Sequence, residues 1–252
     1  PDQTAHAFYE RLRSGGMATT SQINQAEWMD ALRPLLEEGN DVLLLVFSSG
    51  LSGTYAAARL AVDELSAAYP GRRLYAVDSL SASLGEGLFV HHVLRYRDEG
   101  HDIDACYTYA AGLAKRVIHW FTVDDLQFLR RGGRVSAVSA YVGGMLKIKP
   151  VLNVDPKGHL IAREKVQGRK KSLRALYDMV EKYAVDPAAQ TMFISHGDCP
   201  EDAAWLRGKL SAGLGVKDIL VSSIGPVIGA HSGPDTVAVF FLGQDAEGRL
   251  NA

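Results

Sequence analysis

Hydroxyl side chains framed by glycines stand at Ser48-Ser49-Gly50-Leu51-Ser52-Gly53-Thr54-Tyr55, between an apolar run and an alanine-rich stretch. Ser52 is spaced to act as the N-cap of the following helix, with Gly53 and Thr54 opening it. In an open α/β sheet, the turn after a strand's carboxyl end is where ligands bind. The free N–H groups and partial positive charge of a helix N-terminus there suit an anion. An ordinary capped helix without a ligand is the plainer reading of the same residues. Two catalytic readings fail on spacing: Gly50-Leu51-Ser52 lacks the second glycine of a nucleophile elbow, and no lysine follows Gly53 as a phosphate-binding P-loop requires. Gly85-Glu86-Gly87, followed by Val90, also misses the dinucleotide fingerprint.

Thr19-Thr20-Ser21-Gln22 supplies further hydroxyls just ahead of the first expected helix, where capping is the plain reading. His231 stands in Gly225-Pro226-Val227-Ile228-Gly229-Ala230-His231-Ser232-Gly233-Pro234, a frame of glycines and prolines expected to form a shaped loop between two strands. His196, just after the strand expected to end at Ser195, is similarly placed in a plainer context. No His, Cys, Asp or Glu cluster has metal-ligand spacing, so no metal is expected. The basic runs Arg130-Arg131-Gly132-Gly133-Arg134 and Arg163, Lys165, Arg169, Lys170, Lys171 read either as solvated faces or as docking surfaces for an acidic protein partner or a phosphorylated head group.

The elements that must position these residues alternate between β-branched apolar runs and helical patterns, as in parallel α/β proteins. Strands are expected at 41–48, 74–78, 118–123, 191–195, 218–223 and 236–242, and helices near 25–38, 53–69, 84–99, 103–115, 173–184 and 201–212. The run Val42 to Phe47 is apolar at every position, as for a central strand covered on both faces. A short helix over 124–131 ends at Gly132-Gly133, and Ser136 is placed to cap a further helix to about Leu146. Segments 149–154 and 159–166 flank the turn signal Asp155-Pro156-Lys157-Gly158, an antiparallel hairpin. The expectation is two closely packed α/β domains, 1–147 and 148–252.

The 252 residues are 47% hydrophobic and 22% charged, a globular composition. The longest apolar run, Val42 to Phe47, is far below the roughly 20 residues that cross a bilayer. A net charge of −2 offers no basic excess for nucleic acid. No basic leader or cleavable apolar segment opens the chain, and Cys106 and Cys199 lack a CxxC partner; a cytoplasmic protein with inert thiols is expected. The chain opens on Pro1 rather than Met, as a sequence beginning inside a longer product would.

Thr20-Ser21-Gln22, Ser49-x-x-Ser52-Gly53-Thr54-Tyr55, Val77-Asp78-Ser79, Asp124-Asp125-Leu126-x-x-Leu129-Arg130-Arg131-Gly132-Gly133-Arg134, Lys149-Pro150-Val151-Leu152, Gly168-Arg169-Lys170-Lys171 and Gly225-Pro226-Val227-Ile228-Gly229-x-His231-x-Gly233-Pro234 follow one another in an order and spacing that resemble the DegV family of fatty-acid-binding proteins. The resemblance runs from the first residues to about Leu242. It implies a lipid tunnel between two α/β domains, with no cofactor and no catalytic residue. By position, Thr20 and Ser52 hold the carboxylate with His231 nearby, alongside Ser21, Gly53 and Thr54. Apolar stretches over 84–94 and 138–146 are candidate tunnel walls, and ordinary core packing explains them equally well. It also implies presentation of the bound acid, such as palmitate, to a separate ATP-dependent fatty acid kinase subunit that makes an acyl phosphate. Arg169, Lys170 and Lys171 are then the candidate docking surface for that partner, with transient membrane contact and a role in lipid transport. Two features depart from the family: its usual first strand, with an Asp-Ser-x-x-Asp loop, is absent ahead of Pro1, and Ile23 replaces a common proline. An acyl- or phosphoryl-transferring enzyme acting alone, or a lipid-sensing regulator, are the alternatives.

Overall fold

A computed structural model describes residues 4–134 and 148–244. The helix expected from Ser136, and with it the apolar stretch 138–146, lies outside the described residues.

The first element, α1 (Ala5–Arg13), was not expected from sequence: its surface is polar and it buries only Tyr9 and Leu12. Thr4 caps it, accepting from the Ala7 N–H at 3.2 Å. In α2 (Gln25–Glu37), Asn24 and Glu27 form a capping box, so the hydroxyls of residues 19–22 are not needed as the cap. Next come β1 (Val42–Val46), α3 (Thr54–Ala68) and β2 (Leu74–Asp78); β1 and β2 form a two-stranded parallel sheet. The expectation of a central strand is corrected here, because among the described residues β1 pairs with β2 alone. Both its faces are nevertheless packed. Val42, Leu44 and Val46 face the cluster of Leu32, Leu36 and Leu65, while Leu43 and Leu45 face that of Leu88 and Phe89. Two-sided packing explains an apolar residue at every position without requiring strands on both edges.

The rest of the described chain runs α4 (Leu84–Asp98), α5 (Ile103–Leu113), β3 (Val117–Thr122), α6 (Gln127–Arg131), β4 (Ile148–Val154), β5 (Leu160–Gln167), α7 (Arg169–Tyr183), β6 (Thr191–His196), α8 (Pro200–Leu214), β7 (Asp218–Ser223), α9 (Pro226–Ser232) and β8 (Val237–Leu242). Six of these strands make a mixed sheet in the order β5-β4-β3-β8-β6-β7. Only β6 and β7 are parallel in it. The α/β class holds and the antiparallel hairpin at residues 155–158 is present, but β3 and β8 are antiparallel neighbours rather than members of a parallel pattern. An apolar run encodes burial, and strand direction depends on the connections around it. β3 precedes residue 147 yet stands inside this sheet.

Alternation along the strands assigns the sheet's two faces. Trp120, Val239 and Ile194 point to one face, packed by α7 and α8 with Leu176, Leu206 and Leu210. Phe121, Ala238, Phe240 and Phe193 point to the other, where α4 lies. Three local expectations are corrected. Residues 225–234 are not a loop throughout, because α9 begins on Pro226, whose fixed φ suits a first helical turn. Helix α7 starts at Arg169 rather than Leu173, which places the basic cluster in its first turn. The N-cap of α3 is Gly53, not Ser52. Both cysteines are free and buried, and burial pushes the Cys199 thiol up to about 12. Among the described residues no helix is long and apolar enough to cross a membrane.

Candidate functional site

A cavity of about 450 Å³ opens between the β1–α3 loop, the inner face of the mixed sheet and α9. Ser21, Gln22, Ile23, Arg134 and Val227 are its exposed lining residues and mark the opening. Phe121, Leu129, Val154, Ala238 and Phe240 are buried apolar walls.

Two close approaches assemble the opening. The strand β1 ends in a loop whose Gly53 lies under Gln22, since a Cβ there would come 2.2 Å from Gln22 Oε1. That approach brings the segment carrying Thr20 onto the start of α3. On the other side, a Cβ at Gly132 would come 2.2 Å from His231 Nδ1, so the missing side chain is what admits the imidazole. His231 Nε2 and Thr20 Oγ1 then lie 2.7 Å apart across 211 positions of sequence. Ser52 Oγ accepts the Thr54 N–H at 3.2 Å and lies 2.9 Å from Thr54 Oγ1. It does part of a cap's work although it is not the cap residue. Thr20, Ser21, Ser52, Thr54 and His231 all line the cavity, whereas Gly53 serves by its close contact with Gln22.

Arg134, read from sequence as part of a basic run, turns back over this opening. Its Nε donates to Leu51 O at 3.2 Å and Nη1 to Gly132 O at 2.6 Å. Burial, aided by the Arg134 charge, holds the His231 imidazole below its ordinary pKa and so favours its neutral form. Its Nδ1 is buried and has no hydrogen bond among the described residues. Gly132→Ala should therefore expel His231 from this position and break the Thr20 contact. NMR titration of the imidazole should show its pKa rising toward the ordinary histidine range, and an unshifted titration would refute the packing account.

Catalytic machinery is not evident at Ser52: among the described residues Ser52 Oγ bonds Thr54 only, with no imidazole or carboxylate to take its proton. His196 has a structural part, with Nδ1 accepting the Cys199 N–H at 3.2 Å. Of the basic cluster, Arg169 turns to Asp202 at 2.7 Å, while Lys170 and Lys171 are exposed. The fold also gathers His6, Glu10 and Asp198, with ligand atoms within 4.8 Å of one another. Arg13 already donates to both carboxylates, at 2.8 and 2.5 Å, and supplies the cation that such a group needs. Sequence reading missed four polar residues of the inner wall: Ser83, Glu86, His119 and Ser195. The available signal was His119 and Ser195 interrupting otherwise apolar strands.

The model of a family described as "uncharacterised protein, DegV family" matches residues 1–244. A DegV domain-containing protein of Clostridium perfringens is 43% identical over 244 residues, covering 97% of this chain and 84% of the relative. Among solved structures, a fatty-acid-binding DegV family protein from Thermus thermophilus is 31% identical, covers 96% of this chain and 85% of its own, and superimposes with a TM-score of 0.83. A DegV lipid-binding protein from Thermotoga maritima is 30% identical, with 96% and 83% covered and a TM-score of 0.82.

Proposed function

This chain belongs to the DegV family, and on that premise we propose that it is a non-catalytic carrier of one long-chain fatty acid such as palmitate. The observation that carries the reading is the meeting of Thr20, Ser52, His231 and Arg134 at the opening of a cavity whose deeper walls are largely apolar. Solved relatives named for fatty acid and lipid binding support it.

In this reading the carboxylate sits at the opening and the tail runs inward between two α/β units. With Nε2 protonated, His231 donates to Thr20 Oγ1 and frees the Thr20 hydroxyl proton for a carboxylate oxygen. Ser52 offers a second hydroxyl, the first N–H groups of α3 a partial positive charge, and Arg134 a full one. The exposed acid end is presented to a separate ATP-using fatty acid kinase subunit, and Lys170 and Lys171 belong to the surface that docks it. Charged rims of that kind mainly set association rate and salt sensitivity.

Magnitudes divide the work between the two ends. About 15 methylenes at about 0.8 kcal/mol each give a gross transfer value near 12 kcal/mol, whereas a charge-assisted hydrogen bond adds about 1.5–3 kcal/mol. The tail sets affinity and the opening sets which end is presented. Thr20→Ala combined with Ser52→Ala should weaken palmitate binding by roughly 10- to 100-fold without abolishing it. In a displacement assay the wild type should prefer the acid to the alcohol of equal length, and the double variant should lose most of that preference. Equal binding of acid and alcohol by the wild type would remove the carboxylate from this site.

A further inference from the structure

The cavity's inner wall is not apolar throughout. In the mixed sheet, Phe121, Ala238 and Ser195 share one row across β3, β8 and β6, and His119 and Phe240 share the next. The second row lies about 7 Å deeper, the rise of two strand residues. The start of α4 adds Ser83 and Glu86 to the same lining.

Ser83 occupies the N-cap position of α4 but makes no cap hydrogen bond. Its backbone has φ +55, a left-handed conformation for a residue with a side chain, and its Oγ lies 3.1 Å from Ser195 Oγ across the cavity wall. A serine in this position ordinarily accepts an N–H of its own helix. Here the strained backbone sends the hydroxyl away from the helix instead, and strain of this kind gathers where a group must be placed for function. Within the same first turn stands Glu86, with no hydrogen bond or ion pair to the described residues. Between them Gly85 lets the His119 ring lie on the helix backbone, since a Cβ would come 2.1 Å from His119 Nε2. The Ala82 N–H donates to that nitrogen at 3.4 Å.

We infer that Ser83, Glu86 and Ser195 form a second polar subsite inside the cavity, which receives an oxygen substituent on the acyl chain and makes mid-chain hydroxylated fatty acids the preferred ligand class. The inference rests on the fatty-acid reading above. A chain of methylenes alone would seal Glu86 away from water and leave its oxygens unmet. A hydroxyl on the chain donates to the carboxylate, or accepts from the carboxylic acid, while either serine completes the second bond. Burial alone pushes Glu86 up to about 7, so both protonation states are present near neutrality and each has a role for a hydroxyl. A site built to hydrogen-bond a hydroxyl discriminates against the analogue that lacks one.

The test is competitive displacement at neutral pH with stearate and a mid-chain hydroxystearate. The wild type should favour the hydroxy acid by about tenfold, the equivalent of one hydrogen bond. Glu86→Leu should reverse that order, and Glu86→Gln should retain it because an amide both donates and accepts. Ser195→Ala provides an independent reading and should reduce the preference by several-fold. A wild type that binds stearate but rejects the hydroxy acid, or a preference unchanged in all three variants, overturns the subsite and leaves the fatty-acid reading standing. Failure of both acids to bind the wild type overturns both.

Discussion

Gly50→Ala should lower the stability of this protein by about 2–4 kcal/mol, read as a fall in the denaturation midpoint at unchanged slope. A Cβ at Gly50 would lie 2.6 Å from both Gly158 C and Lys157 O, and 2.8 Å from Gly158 O. These are backbone atoms, so a rotamer change cannot relieve the overlap. The opposing turn is held from several sides. Asp155 Oδ1 accepts the Lys157 and His159 N–H groups at 2.8 and 2.9 Å, and Ser48 Oγ donates to Gly158 O at 2.9 Å. Gly158 has φ +81, and a Cβ on it would come 2.0 Å from Ser48 Oγ, so it too has no room to move. The alanine must therefore separate the β4–β5 hairpin from the β1–α3 loop. Leu51 and Ser52 on one side and Val154 and Leu160 on the other all line the cavity, so lipid binding should weaken together with stability. Gly71→Ala is the control, because its Cβ would meet nothing within 4 Å. Equal midpoints for the two variants would mean that the hairpin is not seated on this loop.

Glu86→Gln should stabilise the protein at pH 8 by about 2–3 kcal/mol and expose an acid sensitivity that the wild type conceals. Burial pushes Glu86 up from 4.5 to about 7, so between these values the folded state holds the proton more tightly than the unfolded state. Stability therefore falls as pH rises through that window and stays low above it. On the same helix, His92 is held down from 6.5 to about 4, by burial first and then by the charges of His91, Arg95 and Arg116. Its Nε2 is buried and has no hydrogen bond among the described residues. Here the unfolded state takes the proton first, so stability falls as pH drops from 6.5 toward 4. Over roughly pH 4.5–6.5 the two slopes oppose, at about 1.4 kcal/mol per pH unit each. Thermal melts of the wild type should be nearly flat across that range. Glu86→Gln should melt lower toward acid, and His92→Gln should melt lower toward neutrality. A Glu86→Gln protein no more stable than wild type at pH 8 would show that the carboxyl is not desolvated in the cavity.

Much of the local structure was legible from residue order. The apolar, β-branched runs marked β2 and β7 to the residue, and Asp155-Pro156-Lys157-Gly158 marked the hairpin between β4 and β5. Helices α2, α3, α4 and α5 were found within one or two residues at their ends, because caps and apolar periodicity are local signals. α1 escaped because Tyr9 and Leu12 alone are buried in a polar stretch. α9 escaped because Gly225, Gly229 and Gly233 resemble loop composition, although Tyr9 and Phe8 need the space beside Gly229.

The sequence by itself determined the family pattern, the types of most elements and the chemical kinds found near Thr20, Ser52 and His231. Spacing within one strand or helix is enough to carry that information. Only the tertiary structure decided that β3 and β8 run antiparallel, that Arg134 folds over the opening while Arg169 is tied to Asp202, and that Glu86 faces the cavity. Each of those outcomes depends on what a distant segment leaves room for. Thr20 reaches His231 because Gly132 has no side chain in the way, and His119 reaches α4 because Gly85 has none. Excluded volume between segments remote in sequence has no local period, so it becomes visible only when the chain is folded.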